Sequence, residues 1–274
     1  MKITCLIENS AQREDVSKEH GLSLYIETNE CNILMDTGAS NAFISNAEIL
    51  NTDIKKADAV VLSHGHYDHG GGLAAYIEMC PDKKIYLRKN ALEPHYHISK
   101  DRFDYIGLDE CLNNAKGLCF TSSFEKITKN ASVFSDVKGK RYPARGNKYM
   151  FVKRGGRYIP DEFSHEQSLA VNSGKTKVLI SGCAHSGVLN ILDRYFELFG
   201  CMPDAVISGF HLMQKDGYTK EDLMNIKNIS GELKKTGIVF YTGHCTGSVP
   251  YEIMEGILEN KLVKISTGSV ICLP

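Results

Sequence analysis

Residues 63–72 read SHGHYDHGGG, and this stretch holds three of the ten histidines of the chain and one carboxylate within six consecutive residues. The apolar run Ala59–Ser63 leads into it, and Gly70–Met79 follows with apolar residues at helical spacing. A short apolar run of this kind is typical of a buried strand. A lone histidine would more often be structural, but this density of ligand side chains between a strand and a helix predicts a metal site.

The spacing of the four ligand side chains predicts two metal positions. His64 and His66 alternate along an extended loop, so both imidazoles can reach one ion. Asp68 and His69 project from the turn into the helix and can reach a second ion. Imidazole nitrogen and carboxylate oxygen are ligands for zinc, iron and manganese. We therefore expect two divalent ions, zinc first, with iron or manganese as alternatives.

The composition is that of an ordinary globular protein. The chain has 274 residues, 42% of them hydrophobic and 24% charged, with a formal net charge of −1. This balance gives no overall electrostatic preference for nucleic acid or membrane, and no apolar stretch approaches the roughly 20 residues that span a bilayer. Nine scattered cysteines without a CxxC pair, and an N-terminus (MKITCLIENS) without a signal-like core, predict reduced thiols in the cytoplasm.

Strand-like and helix-like runs alternate along the chain, which indicates an α/β fold. The predicted strands are Lys2–Glu8, Leu22–Thr28, Cys31–Asp36, Ala59–Ser63, Lys177–Ser181, Ala205–Ser208, Ile238–Thr242, Leu262–Thr267 and Ser269–Leu273. The predicted helices are Gly70–Met79, Gly187–Phe199, one that begins with a capping box at Thr219 and Asp222, and a last one capped by Ser248. Residues 90–166 are less regular. We expect a single domain over residues 1–274 with an insertion or lid in that stretch.

Four motifs together resemble the metallo-β-lactamase superfamily over most of the chain. They are SHGHYDHGGG, SGCAH (181–185), SGFHL (208–212) and TGHCTG (242–247). The combination is similar to the branch that includes the archaeal dihydropterin-ribofuranosylaminobenzene phosphate synthases and many proteins called metal-dependent hydrolases. The resemblance implies a four-layer αββα sandwich with a metal site at one edge, between the two sheets.

The resemblance also implies three further site residues. His185 matches the histidine that follows a later strand and completes the first metal position, and His244 matches the one that completes the second. Asp36, in the sequence MDTG, matches an aspartate that orients the metal loop through hydrogen bonds. Without the resemblance, each of these two histidines would more often be a structural residue.

One departure from the superfamily pattern concerns the aspartate that usually bridges the two metals. The corresponding stretch, residues 207–212, reads ISGFHL and has no aspartate. Three interpretations stay open. His211 replaces the bridging ligand, His211 binds substrate or acts as a general acid, or the second metal is weakly held. A functional His211 is favoured over a structural one.

A basic segment predicts the substrate class. Residues 137–160 contain eight basic residues, no acidic one and several interleaved aromatics. We expect them to bind a small anionic substrate, with a solvated loop as the alternative. The predicted substrate-binding residues are Arg141, Arg145, Lys148 and Arg154. Nucleic acid is not expected from so short a patch, and the oligomeric state is left open.

The other histidines are predicted to lie outside the metal site. His95 and His97 form a second HxH but lack the strand and helix around them, so they are interpreted as loop residues near a pocket mouth. His20 and His165 are interpreted as surface residues.

The leading functional hypothesis is a hydrolase that uses metal-activated water on an ester or phosphoester. Asp68 would be a ligand and also accept the proton of the water, and His211 would protonate a leaving group or hold an oxyanion. The alternatives are a pterin-type synthase with a pyrophosphate leaving group, a non-catalytic sensor, and an iron redox protein. Cys183 and Cys245, beside the candidate ligand histidines, weakly support the last of these.

Overall fold

The computed structural model describes residues 1–100 and 102–274. The strands are β1 (Lys2–Ile7), β2 (Ser23–Glu27), β3 (Asn32–Met35), β4 (Ala59–Val61), β5 (Ile85–Leu87), β6 (His95–Ser99), β7 (Arg102–Tyr105), β8 (Leu118–Phe120), β9 (Phe124–Lys126), β10 (Ala131–Phe134), β11 (Met150–Arg154), β12 (Arg157–Pro160), β13 (Ser168–Asn172), β14 (Lys177–Ile180), β15 (Ala205–Ile207), β16 (Val239–Thr242), β17 (Leu262–Lys264) and β18 (Val270–Cys272). The α-helices are α1 (Ala42–Ile49), α2 (Tyr67–Gly70), α3 (Leu73–Met79), α4 (Val188–Phe199), α5 (Lys220–Thr236) and α6 (Ser248–Leu258).

Two seven-stranded sheets form the centre of the molecule. The first has the order β18-β1-β2-β3-β4-β5-β8, and the second has the order β17-β16-β15-β14-β13-β10-β9. In each sheet one half is antiparallel and the other half, from β3 to β8 or from β14 to β17, is parallel. The inner parallel strands β4 and β15 are short and buried at every residue, which is why they are wholly apolar in sequence.

Three hydrophobic clusters show how the layers stack. The cluster between the sheets contains Ile33 from the first sheet and Ile180 from the second. A second cluster packs α1 and α3 on the outer face of the first sheet, for example through Phe43 and Tyr76. A third packs α4, α5 and α6 on the outer face of the second sheet, with Leu233 among its buried residues. The predicted four-layer αββα sandwich is confirmed.

The functional loops emerge at the carboxyl ends of parallel strands in both sheets. The SHGHYDHGGG loop follows β4 of the first sheet, and the loops after β14, β15 and β16 follow neighbouring strands of the second. Ends of parallel strands meet at one edge of a sheet, where α/β proteins usually bind ligands. This topology brings four chain segments, far apart in sequence, to one place.

The stretch 90–166 is divided among three sheets. Strands β6, β7, β11 and β12 form a separate four-stranded sheet, whereas β8, β9 and β10 belong to the large sheets. His95 and His97 lie in β6, and His95 is buried, so their interpretation as loop residues is wrong. Its cause is that β6 (HYHIS) has only five residues, so its alternation of polar and apolar residues depends on Tyr96 and Ile98 alone. A lid function of this region stays a prediction.

Helix boundaries differ from the predictions at two places. The predicted helix Gly70–Met79 is split, because α2 ends at Gly70 and α3 begins at Leu73. Glycine is needed between them, since a Cβ at Gly71 would lie 2.3 Å from the Ala39 carbonyl oxygen. The capping box at the start of α5 is present. The last helix begins one residue earlier than predicted, with Gly247 as its N-cap.

No helix in the described part of the chain is long and apolar enough to cross a bilayer.

Candidate metal centre

Three buried imidazoles converge at the carboxyl ends of β4 and β14. The rings of His64, His66 and His185 have centroids 4.6 to 4.9 Å apart and lie nearly perpendicular to one another. All three residues are at most 3% exposed, and their Nε2 atoms are buried with no hydrogen-bond partner among the residues that the structure describes. A buried polar atom without a partner is costly, so three of them in one place indicate a position that suits a metal ion.

Hydrogen bonds at the other ring nitrogens leave the Nε2 atoms of His64 and His185 as acceptors. Ser63 Oγ donates to Asp36 (2.7 Å) and therefore accepts the proton of His64 Nδ1 (2.9 Å). His185 Nδ1 donates to the side-chain oxygen of Asn147 (3.2 Å). Burial lowers the pKa of both imidazoles well below the usual range. Each Nε2 thus carries a free lone pair, as a metal ligand requires.

A second set of ligand atoms lies beside the first. His69 Nε2 is 3.1 Å from His244 Nε2, and Asp68 Oδ2 is 3.2 Å from His244 Nε2 and 3.7 Å from His69 Nε2. His69 Nδ1 donates to Asp36 (2.7 Å), and His244 Nδ1 donates to the side-chain oxygen of Asn9 (2.9 Å). The two Nε2 atoms therefore face each other at 3.1 Å, a contact that is favourable only with a proton or a metal cation between them.

The electrostatics of this second set favour a cation. Burial alone would lower the pKa of His69, but the carboxylates of Asp68 and Asp36 raise it to about 9. Burial would raise the pKa of Asp68, yet His69 and His244 hold it well below its usual range. Two ligands bound tetrahedrally to zinc at about 2.0–2.1 Å lie about 3.3–3.4 Å apart. The three distances between the ligand atoms of Asp68, His69 and His244, 3.1 to 3.7 Å, include that value, so these residues could bind one metal ion.

Asp36 connects the two sets. It accepts hydrogen bonds from the Ser63 amide and hydroxyl and from His69 Nδ1, each 2.7 Å long. Its φ of +59° is unusual for a residue other than glycine, and it is 1% exposed. This arrangement agrees with the orienting role that the resemblance implies for Asp36.

Two buried glutamates, not foreseen in the sequence, support the later histidines. Glu166 accepts hydrogen bonds from the amides of His185 (2.6 Å) and Ser186 (2.9 Å). Glu8, directly after β1, accepts one from the amide of His244. His244 has a φ of +49°, and these carboxylates hold such turns in place. The signal that could have found them is a carboxylate next to the end of a buried strand.

A buried network fixes the loop that carries His66. His165 accepts a hydrogen bond at Nδ1 from the Gly65 amide (3.0 Å) and donates from Nε2 to Asp161 (3.2 Å). His95 donates to the same carboxylate oxygen (2.8 Å). His165 is 1% exposed, so the prediction of a surface residue is wrong. The sequence around His165 has no apolar pattern that would predict burial, because its burial depends on the hydrogen bond to Asp161.

A comparison with known protein families shows to which family the chain belongs. The sequence model of the metallo-beta-lactamase superfamily matches residues 17–201, about two thirds of the chain. The chain belongs to the metallo-β-lactamase superfamily. The fold and the resemblance noted in the sequence are thereby confirmed.

Three superfamily relatives resemble the chain over nearly its whole length. An uncharacterised protein of Methanocaldococcus jannaschii is 28% identical over 89% of this chain and 90% of its own. The 7,8-dihydropterin-6-methyl-4-(beta-D-ribofuranosyl)-aminobenzene-5'-phosphate synthase of the same organism is 27% identical, covering 92% and 90%. The crystal structure of a metal-dependent hydrolase of the beta-lactamase superfamily is 31% identical, with a TM-score of 0.83 and coverage of 100% and 99%.

The superfamily's bridging aspartate is absent here, and other groups occupy that region. His211 has a φ of +50°, its ring lies 4.1 Å from that of His185, and its Nδ1 is buried without a partner. Cys183, His211 and Cys245 have potential ligand atoms within 4.8 Å of one another. His211 therefore borders the candidate centre, and its role stays a prediction.

A cavity of about 330 Å³ opens onto the candidate centre. The buried Asp68 and His185 and the half-buried His211 line it, together with the exposed Lys100 and Lys215. His20 also lines it; this residue is exposed, as predicted, and its Nε2 lies 3.4 Å from Asp68.

The four basic residues predicted to bind substrate lie elsewhere. Among the described residues, none of the four lines this cavity. Arg141, Arg145 and Arg154 pair with carboxylates instead, those of Asp193, Asp222 and Glu93 respectively. Lys148 lies over the ring of Tyr149, 4.9 Å from its centroid. The sequence shows the local excess of basic residues but not their acidic partners, which come from distant segments.

Proposed function

We propose that this superfamily member is a metal-dependent hydrolase with two divalent ions, zinc in the first instance and iron or manganese as alternatives. His64, His66 and His185 would hold one ion, and Asp68, His69 and His244 the other. The observation that carries the proposal is the group of three buried, unpartnered Nε2 atoms. When bound, such ions lower the pKa of a water molecule and polarise the substrate.

The residues around the ions would hold and move protons. Asp68 lies at the cavity and in the second ligand set, where it would accept the proton of the attacking water. Asp36 would keep His69 and the loop in their binding orientation. His211 lines the cavity beside His185, where it would protonate a leaving group or hold an oxyanion.

The substrate would be a small anionic ester or phosphoester. A cavity of about 330 Å³ is the size of small-molecule sites. Lys100 and Lys215 line the cavity and would attract a negative group, and Asp216 lines it as well. Arg141, Arg145 and Arg154 pair with carboxylates, which leaves those residues a supporting role at most. A phosphate-bearing substrate in the cytoplasm is the working proposal.

A second candidate function is a synthase in which a nucleophile other than water attacks and pyrophosphate leaves. Its support is the similarity over 92% of the chain to the dihydropterin synthase. The same ligand set would serve both reactions, since both need stabilised charge on the leaving oxygen. The two functions differ in the nucleophile that the product gains, which is an oxygen from water in the hydrolase and an organic group in the synthase.

The test is turnover of chromogenic phosphomonoesters, phosphodiesters and carboxylic esters by the metal-loaded protein. We expect one class to be hydrolysed with incorporation of labelled oxygen from water, and kcat to fall by about a hundred-fold or more in Asp68→Asn. The matched control is Asp15→Asn, because Asp15 is exposed and pairs with Arg13 at the surface. Release of pyrophosphate from a pterin substrate without hydrolysis of any ester would contradict the proposal in favour of the synthase.

A further inference from the structure

Cys183 occupies a distinctive position between the two candidate metal positions. It follows β14, two residues before His185, and is 3% exposed. Its Sγ lies 3.2 Å from His69 Nε2. It also has its sulfur within 4.8 Å of ligand atoms from both sets, those of His64 and His185 on one side and those of Asp68, His69 and His244 on the other.

The six candidate ligands themselves carry little negative charge, because the nearby carboxylates of Asp36, Glu8 and Glu166 are not among them. Asp68 is the one carboxylate among the six candidate ligands, and Asp36 is held by three hydrogen bonds outside them. Two divalent ions in a buried site bring more positive charge than one carboxylate offsets, and uncompensated buried charge is strongly unfavourable. The superfamily's bridging aspartate would supply this charge, but residues 207–212 contain none. A thiolate at Cys183 would supply it instead.

We propose that the Cys183 thiolate bridges the two metal ions and so replaces the missing aspartate. The inference rests on the two-metal centre proposed above. On binding, the thiol loses its proton to solvent and the sulfur lone pairs bind the ions; nothing is oxidised or reduced. A thiolate ligand favours zinc, iron(II) or cobalt(II) over magnesium or manganese.

The neighbours of Cys183 are less well placed to bridge. Cys245 and His211 share a cluster with Cys183 but with none of the six candidate ligands. Cys245 Sγ lies 3.6 Å from the Cys183 carbonyl oxygen, and a Cβ at Gly209 would lie 2.4 Å from that sulfur. Cys245 therefore packs its sulfur against the backbone of the loop, although, like Cys183, it also lines the cavity.

If Cys183 had only a structural role, the Nε2 atom of His69 would be in a different state. A neutral thiol would donate its proton to His69 Nε2 across the 3.2 Å contact. That nitrogen would then have no lone pair for a metal. The thiol donor and the thiolate ligand are mutually exclusive, so a sulfur-specific signal separates them.

The experiment loads the full chain with cobalt(II) and records metal content and the near-ultraviolet spectrum. We expect two ions per chain and an intense sulfur-to-cobalt charge-transfer band. In Cys183→Ser the band disappears and the weaker ion binds about ten-fold or more less tightly. The matched control is Cys245→Ser, which should keep the band because its sulfur lies outside both ligand sets.

Contrary outcomes fall into separate classes. Two bound ions without the band overturn the thiolate bridge and leave the two-metal proposal standing, and so does loss of the band in Cys245→Ser alone. Binding of fewer than two cobalt ions per chain would overturn both the thiolate bridge and the two-metal proposal. If Cys183→Ser does not fold, zinc K-edge absorption of the wild-type protein decides, because a bridge requires a sulfur at about 2.3 Å from zinc. A spectrum with only nitrogen and oxygen neighbours overturns the bridge.

Discussion

At the scale of single residues, the candidate centre depends on which nitrogen of each imidazole carries the proton. Asp36, Ser63, Asn9 and Asn147 each engage an Nδ1 atom and leave Nε2 free. The sequence predicts the SHGHYDHGGG ligands because four ligand side chains lie close together in it. It does not predict Asn9 or Asn147, since an amide in a loop has no local pattern and meets its histidine only in the fold.

Asn147 offers a test of this tautomer control. Its side-chain oxygen accepts from His185 Nδ1 and its amide donates to the His185 carbonyl (2.8 Å). We expect Asn147→Ala to lower the affinity of the first ion by about 10–100-fold. Competition with a chromogenic chelator measures this affinity, and Asn113→Ala at an exposed position is the control. Unchanged affinity would show that the Nδ1 contact does not orient the ring.

Asp36 links the loop to both ligand sets, so its charge should matter for folding as well. In Asp36→Asn an amide replaces an oxygen that accepts from both Ser63 and His69. We expect the free energy of unfolding to fall by about 3–5 kcal/mol, because a buried charge pair loses one partner. Urea unfolding measures it. Asp15→Asn should change it by less than about 0.5 kcal/mol, and an equally small effect of Asp36→Asn would refute the role.

At the scale of elements, the site forms because parallel strands of two sheets end at one edge. The apolar strands before each loop could be predicted from sequence, and β4, β14, β15 and β16 lie close to the predicted ranges. His185 and His244 could be placed only through the resemblance, since a histidine after a strand has no specific signature. The short strand β6 was missed because only Tyr96 and Ile98 carry its apolar pattern, and its link to His165 was missed because that link depends on hydrogen bonds to Asp161.

Close packing of two loops at that edge predicts a strict need for glycine at position 182. A Cβ there would lie 2.2 Å from Ser63 Oγ and 3.2 Å from His64 Nδ1. We expect Gly182→Ala to destabilise the fold by about 1–3 kcal/mol and to weaken binding of the first ion.

The matched control for Gly182→Ala is Gly231→Ala. Gly231 lies within α5 with open space around its Cβ position, so alanine there should stabilise by about 0.5–1 kcal/mol. Thermal unfolding and chelator competition measure both variants. Equal effects of the two substitutions would contradict the packing argument.

At the scale of the whole molecule, the candidate metal centre lies between the two halves of the sandwich. His64, His66, Asp68 and His69 belong to the loop after a strand of the first sheet, and His185 and His244 follow strands of the second. Fold class and layer order could be predicted from the alternation of elements and from the resemblance. The division of residues 90–166 among three sheets could not, because strand pairing is long-range.

A ligand held by both sheets should stabilise the folded chain as a unit. We expect the unfolding temperature to fall when the ions are removed with a chelator and to rise again with added zinc. Above saturation, each ten-fold increase in free zinc should add about 1.4 kcal/mol per bound ion. Calorimetry at several zinc concentrations measures this, and an unfolding temperature independent of zinc would contradict binding between the sheets.

The most direct test of the two-metal centre is anomalous diffraction at the zinc edge from crystals of the zinc-loaded protein. The account predicts two peaks. One lies among the Nε2 atoms of His64, His66 and His185, and the other lies among Asp68, His69 and His244. A single peak, or peaks away from these side chains, would contradict it.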